Sequence, residues 1–280
     1  MQIESPGTWE PPGAKRVRSR QAYDVIFTIA RKELKSLFAS PLAWIVLTVM
    51  QLVIGYVFLR RLDYFLELQS VLTRLANPPG ATEVIAAPVF GWVAIMLLVS
   101  VPLLAMRLVA GERRNQTMVL LVSAPVSMTQ IVLGKFLGIF IFLLAIVGVT
   151  VLMPLLLSGT TRLDYGLLAA LIIGLTLLAA SLAAISLYIS CLTVYPVVAA
   201  IGACAALVLL LLMGEAAVEG LHTRKWTVAA SLAQVLSPFK NFEPFAKGVF
   251  DTYALACSAL TILLFLALAA RHLDAQRLRG

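Results

Sequence analysis

The sequence is poor in charged residues. Of its 280 residues, 13% are charged and 61% are hydrophobic, whereas soluble domains average ~25% charged and ~45–50% apolar. This many apolar side chains cannot be buried in one soluble core, and lipid is the second apolar solvent that can cover them. The composition therefore predicts an integral membrane protein whose first partner is the lipid bilayer.

Cysteine and histidine are also scarce. Cys191, Cys204 and Cys257 form no CxxC pair and lie in or beside apolar runs, which is typical of small buried side chains. His222 and His272 are far apart in the sequence. Because this pattern lacks the spacing of metal ligands, we expect no metal site.

Motifs for catalysis and nucleotide binding are missing. The sequence lacks GxxxxGK[ST], HExxH and GxSxG, so we expect no P-loop, no enzyme activity and no cofactor on this chain. The net charge of +8 would suggest nucleic acid for a soluble protein. Here the basic residues flank apolar runs, where they act as orientation signals, so we expect no nucleic-acid partner.

Six apolar runs contain no Asp, Glu, Lys, Arg or His. Each has the length that a spanning helix needs, ~17–25 residues. The prediction is an all-α polytopic membrane protein with six transmembrane helices. The predicted spans are Leu42–Leu59, Val89–Met106, Phe136–Leu157, Leu167–Ile189, Val197–Met213 and Ala254–Ala270.

The charge-free spans also bear on the energy source. Proton-coupled carriers and ion pumps usually keep a charged group within the membrane, so these spans argue against a self-powered transporter. An ATP-independent carrier stays open, because Gln51 and backbone carbonyls could bind an ion. The lack of charge slightly favours an apolar or lipid-linked cargo.

Lys and Arg set the expected orientation. Most of the 22 basic residues fall on the side of the N-terminus when six spans are threaded through a membrane, which places both termini in the cytoplasm. Residues 1–20 are polar and contain Pro6, Pro11 and Pro12, so we expect a disordered cytosolic tail. The membrane domain is then predicted at residues 21–280.

The segment before the first span is amphipathic. Between Tyr23 and Phe38, apolar residues recur at helical spacing, and Arg31, Lys32 and Lys35 occupy the opposite side. This pattern predicts an elbow helix at residues 21–40 that lies on the inner leaflet. An ordinary basic juxtamembrane stretch is the alternative. Ser40-Pro41 then turns the chain into the first span.

The long inside loop Gly111–Lys135 is predicted to be helical from Glu112 to Val122, to stop at Pro125 and to restart at an N-cap, Ser127. It is either a docking surface or a simple linker. Two outside segments, Asp63–Pro88 and Gly214–Tyr253, are also long. The first is predicted to hold a short surface helix, and the phenylalanines of the second to anchor it at headgroup level.

Three stretches carry a resemblance: Gly111–Phe136, Ser40–Trp44 and Leu236–Asp251. Together they resemble the permease subunit of ABC-2 type exporters, and the second and third look most like its gliding-motility-type branch. The resemblance covers nearly the whole chain after residue 21. The strongest match is Gly111–Phe136, reading GERRNQTMVLLVSAPVSMTQIVLGKF. Gln116 and Val119 depart from the family pattern, which usually has glycine and glutamate there, and this bears on which ATPase is the partner.

The resemblance implies a non-catalytic subunit of the cell inner membrane with a cytosolic coupling helix between spans two and three. Two permeases, identical or different, would assemble with two ABC ATPase subunits that hold ATP and Mg²⁺. The coupling helix would dock on the ATPase through Glu112, Arg113 and Arg114, with packing by Thr117, Met118 and Leu121. A different reading is a membrane scaffold that transmits ATP-driven force to a cell-envelope machine.

Overall fold

The computed structural model describes residues 14–72, 80–114, 127–159, 163–223 and 227–277. Within these ranges the chain is helical and contains no strand. Six helical stretches of the described chain are long and apolar enough to cross a membrane, so the all-α, six-span prediction is confirmed. They are Pro41–Leu68, Thr82–Arg114, Met128–Gly159, Tyr165–Leu192, Pro196–Ala216 and Thr252–Arg277.

The first helix, α1, runs from Ala14 to Ala39 and begins earlier than the predicted elbow. No proline or glycine follows Gly13 until the helix ends, so nothing interrupts the helix over residues 14–20. This helix replaces the predicted disordered tail at those positions, while residues 1–13 lie outside the described chain. Ser40 separates α1 from α2, which spans Pro41–Leu72 with proline at its first position.

Helix α2 continues well past the predicted first span. The sequence between Tyr56 and Ala76 has no proline or glycine, so the expected separate surface helix is the C-terminal part of α2 itself. A π-helical turn, Thr82–Ala86, leads into α3, Ala87–Ala105. A second π-helical turn, Arg107–Gly111, is followed by one α-helical turn, Glu112–Arg114.

Helix α4 spans Met128–Leu155 and begins where the sequence predicted. The Ser127 hydroxyl accepts a hydrogen bond from the Gln130 backbone N–H at 3.3 Å, and the Gln130 side chain accepts one from the Ser127 N–H at 3.0 Å. This reciprocal capping box fixes the start of the helix. A 3-10 turn, Leu156–Gly159, ends this stretch.

Helix α5, Tyr165–Leu192, is capped by the Asp164 carboxylate and is followed by α6, Pro196–Thr223. Of the 18-residue apolar stretch in each helix, 72% is buried within the protein in α5, against 17% in α2 and 28% in α6. Helices α3 and α9, the C-terminal helix Thr252–Arg277, both pack against α5. Helix α5 is therefore the central element, and α2 and α6 are peripheral.

Two short helices, α7 (Thr227–Leu236) and α8 (Pro238–Ala246), precede α9. Phe242 and Phe245 of α8 are buried, so the expected anchoring at headgroup level is wrong for these two rings. A Cβ added to Gly174 of α5 would overlap the Cβ of Phe245. Helix α8 thus packs directly on the α5 backbone.

Candidate functional site around Lys135

Lys135 lies in the second turn of α4 and is completely buried. Its ammonium group donates hydrogen bonds to Glu33 Oε1 at 2.8 Å and to the Leu108 carbonyl at 2.6 Å. The Glu112 carboxylate lies 2.8 Å from the same nitrogen. One lysine thus joins α1, α4 and the turn Glu112–Arg114, which leads into the predicted coupling loop.

The charges of this cluster balance. Glu33 is buried on α1, and the Glu112 side chain is 16% exposed. The exposed ammonium of Lys32 lies 3.3 Å from Glu112 Oε1 and closes the cluster on the solvent side. Two lysines face two glutamates, which limits the cost of removing these charges from water. We call Lys32, Glu33, Glu112 and Lys135 the Lys135 cluster.

Two glycines on either side of Lys135 allow α1 to approach α4 this closely. A Cβ on Gly134 would lie 2.7 Å from the Ile29 Cβ, and one on Gly138 would lie 2.7 Å from the Glu33 Cβ. Small residues four positions apart let two helix backbones come into contact. The close packing at these two glycines therefore places the Glu33 carboxylate within hydrogen-bonding distance of the Lys135 ammonium group.

The π-helical turn Arg107–Gly111 presents backbone groups to side chains of other helices. Its Leu108 carbonyl accepts from Lys135, and its Ala110 N–H donates to Ser190 Oγ of α5 at 3.2 Å. Arg107 Nη1 donates to Ser40 Oγ at 3.1 Å, beside the junction of α1 and α2. These hydrogen bonds connect the segment before Glu112 to α4, to α5 and to the junction of α1 and α2.

The predicted docking residues have different surroundings. Arg113 Nη2 donates to Gln276 Oε1 near the end of α9, and Glu112 belongs to the Lys135 cluster, whereas the Arg114 side chain is exposed. Thr117, Met118 and Leu121 lie outside the described residues. The structure thus brings Glu112 and Arg113 to neighbouring helices and leaves Arg114 at the surface.

The three basic residues of the predicted elbow helix also differ in their surroundings. Arg31 and Lys35 are exposed and Lys32 reaches Glu112. On the other side of α1, Ala30 and Leu37 are buried in the protein together with Glu33. Part of the predicted apolar stripe therefore packs within the protein, while Phe27 and Phe38 of the same stripe remain exposed.

Comparison with protein families gives this geometry a context. A family described as "ABC-2 family transporter protein" matches residues 27–274. The chain belongs to the ABC-2 transporter family. No curated protein matches the sequence.

Membership makes the chain a membrane permease subunit of an ABC transporter and implies an ABC ATPase partner. In this ABC-2 permease, no group of His, Cys, Asp and Glu within the described ranges could hold a metal ion. Gln51, which the sequence offered as an ion ligand, has a shielded amide that makes no hydrogen bond in the described part of the chain.

Sequence reasoning missed two residues of the Lys135 cluster. Lys135 was assigned only to the orientation signal, and Glu33 was not selected. Two signals could have found them. Glu33 is an acidic residue on the stripe that Ala30 and Leu37 define, three and four positions away, and Gly134 and Gly138 are spaced for close helix packing.

The ABC-2 permease has a second ionic cluster, on α8 and the end of α6. Lys240 Nζ lies 2.9 Å from Glu215 and 3.4 Å from Glu243, and Lys247 Nζ lies 2.8 Å from Glu243. Desolvation opposes the charge of Lys240, but its hydrogen bonds to Glu215 and Glu243 outweigh this effect and raise its pKa. The hydrogen bond from Lys247 lowers the pKa of Glu243.

Proposed function

We propose that the chain is the transmembrane subunit of an ABC exporter that receives its energy from a separate ATPase. The observation that carries this proposal is the attachment of Glu112–Arg114. This turn bonds to α1 and α4 through the Lys135 cluster and to α9 through Arg113. A displacement of the turn would be passed to three helices at once.

The proposed division of labour follows from this attachment. ATP and Mg²⁺ bind to the partner ATPase, and this chain contributes no catalytic group or cofactor. Closure of the ATPase subunits presses on the coupling loop. The loop transmits this movement through Glu112 and Arg113 to α1, α4 and α9, which tilt and open a path for the cargo.

Direct docking is assigned to the exposed part of this region. Arg114 is the exposed member of the turn, and its charge suits a polar contact on the ATPase surface. Thr117, Met118 and Leu121 are proposed to add packing contacts. Glu112 and Arg113 are proposed to dock beside Arg114 and also to connect the docked surface to the bundle.

The same proposal fixes the orientation and the assembly. The Lys135 cluster and both termini face the cytoplasm, in agreement with the excess of Lys and Arg on that side. The chain resides in the cell inner membrane and pairs with a second permease, as a homodimer or a heterodimer. Its resemblance to the gliding-motility-type branch rests on Ser40–Trp44 and Leu236–Asp251.

The test is a charge reversal at the docking surface. Purify the chain together with its partner ABC ATPase, as wild type and as Arg114→Glu. The matched control is Arg271→Glu, since Arg271 is an exposed arginine on α9. We expect Arg114→Glu to lose most of the co-purified ATPase and its membrane-bound ATP hydrolysis, and Arg271→Glu to retain both. Equal retention in the two variants would contradict the docking assignment.

A force-transmitting scaffold is the second candidate. It is favoured by the outer part of α2, a continuous helix that carries Tyr64 and Leu66 exposed beyond the predicted first span and could contact an envelope partner. Vesicles that contain the permease and its ATPase separate the two functions. A solute that crosses the membrane only with ATP and both subunits supports the exporter and counts against the scaffold.

A further inference from the structure

The two acidic residues of the Lys135 cluster lie on different elements that are far apart in the sequence. Glu33 lies in the C-terminal third of α1, and Glu112 begins the turn that enters the coupling loop. Both carboxylates approach the single ammonium group of Lys135 within 2.8 Å. The ammonium is therefore the bridge between them.

Burial makes this bridge strong. The Lys135 side chain is 1% exposed and that of Glu33 is 9% exposed, so water is a poor replacement for a lost partner at either group. If α1 moved away from the turn, at least one charge would remain buried without compensation, which is costly. The outer pair, Lys32 with Glu112, has a 61% exposed lysine and contributes little by comparison.

Backbone packing makes the bridge rigid on one side. Gly134 and Gly138 bring α4 into contact with α1 one residue before and three residues after Lys135. The lysine thus sits on a fixed two-helix unit and extends from it to Glu112. A push on the turn acts on this unit through Lys135.

We propose that Lys135 is a positioning residue for energy coupling: it fixes the docking turn Glu112–Arg114 to the unit formed by α1 and α4, so that these elements move as one body. This inference rests on the proposed function, in which an ATPase displaces the turn. Lys135 itself makes no contact with the ATPase or the cargo.

The test uses a charge-balanced variant, Glu33→Gln with Lys135→Met. This double substitution removes one positive and one negative charge, and it leaves Lys32 to pair with Glu112. Because both charges of the pair are removed together, neither is left buried without a partner, so the variant is expected to fold. The matched control is Glu215→Gln with Lys240→Met, which removes an ion pair of the second cluster.

The first measurement is a distance in the permease alone. Spin labels are placed at Arg31→Cys and Arg114→Cys, both exposed positions, in a Cys204→Ala background because Cys191 and Cys257 are buried. We expect one narrow distance distribution in the parent and in the control, and a broad one in Glu33→Gln with Lys135→Met. A narrow, unchanged distribution in that variant would overturn the proposal.

The second measurement is coupling in unlabelled complexes. We expect the charge-balanced variant to co-purify with the ATPase as the wild type does, while the stimulation of ATP hydrolysis by the permease falls about tenfold. Unchanged stimulation would overturn the proposal. Loss of co-purification would overturn it too, because Lys135 would then shape the docking surface and not carry its movement. If the wild type itself binds no ATPase, the proposed function fails, and the distance measurement still decides whether Lys135 fixes the turn.

Discussion

Gly138 faces Glu33 at a distance that leaves no room for a side chain: a Cβ added to Gly138 would lie 2.7 Å from the Glu33 Cβ. The Ala30 carbonyl would lie 3.1 Å from the same added atom. This contact seats α1 on α4 and brings the Glu33 carboxylate to Lys135. The position of α1 therefore depends on the absence of a side chain at residue 138.

Gly138→Ala is expected to destabilise the protein. The added methyl group forces α1 away from α4, and overpacking of this kind costs about 1–3 kcal/mol. Thermal unfolding of the purified chain in nanodiscs measures the effect. The control is Gly148→Ala in the same helix, where an added Cβ meets nothing within 4 Å and higher helix propensity gives a neutral or slightly stabilising result. Equal melting temperatures for both variants would show that the close contact is unimportant.

Lys135→Met alone is expected to be far more damaging than the charge-balanced double variant. It leaves Glu33 and Glu112 facing each other without the buried cation, and breaking a buried pair costs about 3–5 kcal/mol. The free energy of unfolding in denaturant measures the loss, and adding Glu33→Gln should recover part of it. Lys32→Met, which removes the exposed lysine of the cluster, should cost less than about 1 kcal/mol. Similar losses for Lys32→Met and Lys135→Met would contradict the assigned roles.

The second cluster predicts a pH dependence. The pKa of Glu243 is lower in the folded protein because of its hydrogen bond from Lys247, so the ionised side chain stabilises the fold above the unfolded-state pKa of about 4.3. That contribution is lost as the pH falls through the lowered pKa. Melting temperatures of the wild type and Glu243→Gln should therefore differ at neutral pH and converge in acid.

The control for this pH dependence is Glu67→Gln, which changes an exposed glutamate on α2. Since Glu243 is itself 47% exposed, the effect at neutral pH is expected to be small. A difference between wild type and Glu243→Gln that stays constant across the pH range would contradict the ion-pair explanation.

Features encoded by neighbouring residues could be predicted from the sequence. Hydropathy located the six spans, Ser40-Pro41 marked the break between α1 and α2, and Ser127 was identified as the cap of α4. Each of these depends on interactions within a few residues or on transfer to an apolar solvent. Such signals need no knowledge of the tertiary fold.

Features that depend on contacts between distant segments could not be predicted in the same way. Nothing local shows that Lys135 meets Glu33 and Glu112, or that Arg113 reaches Gln276. Likewise, Phe245 looks like an interfacial anchor until α8 is seen to pack on Gly174. From the sequence alone, Lys135 is a basic residue before an apolar run, which favours an orientation signal. Its acidic partners lie on other elements and cannot be identified from its neighbours in the sequence.

Site-specific photocrosslinking tests the central claim, that an ATPase acts on the turn Glu112–Arg114, most directly. A photoreactive amino acid is placed at Arg114 and, as the comparison, at Glu83, an exposed residue beside the opposite end of α3. Cells that express the chain with its ATPase are irradiated, and the products are identified by mass spectrometry. We predict a permease–ATPase crosslink from position 114 and none from position 83. A crosslink from 83 with none from 114 would contradict the proposed docking site.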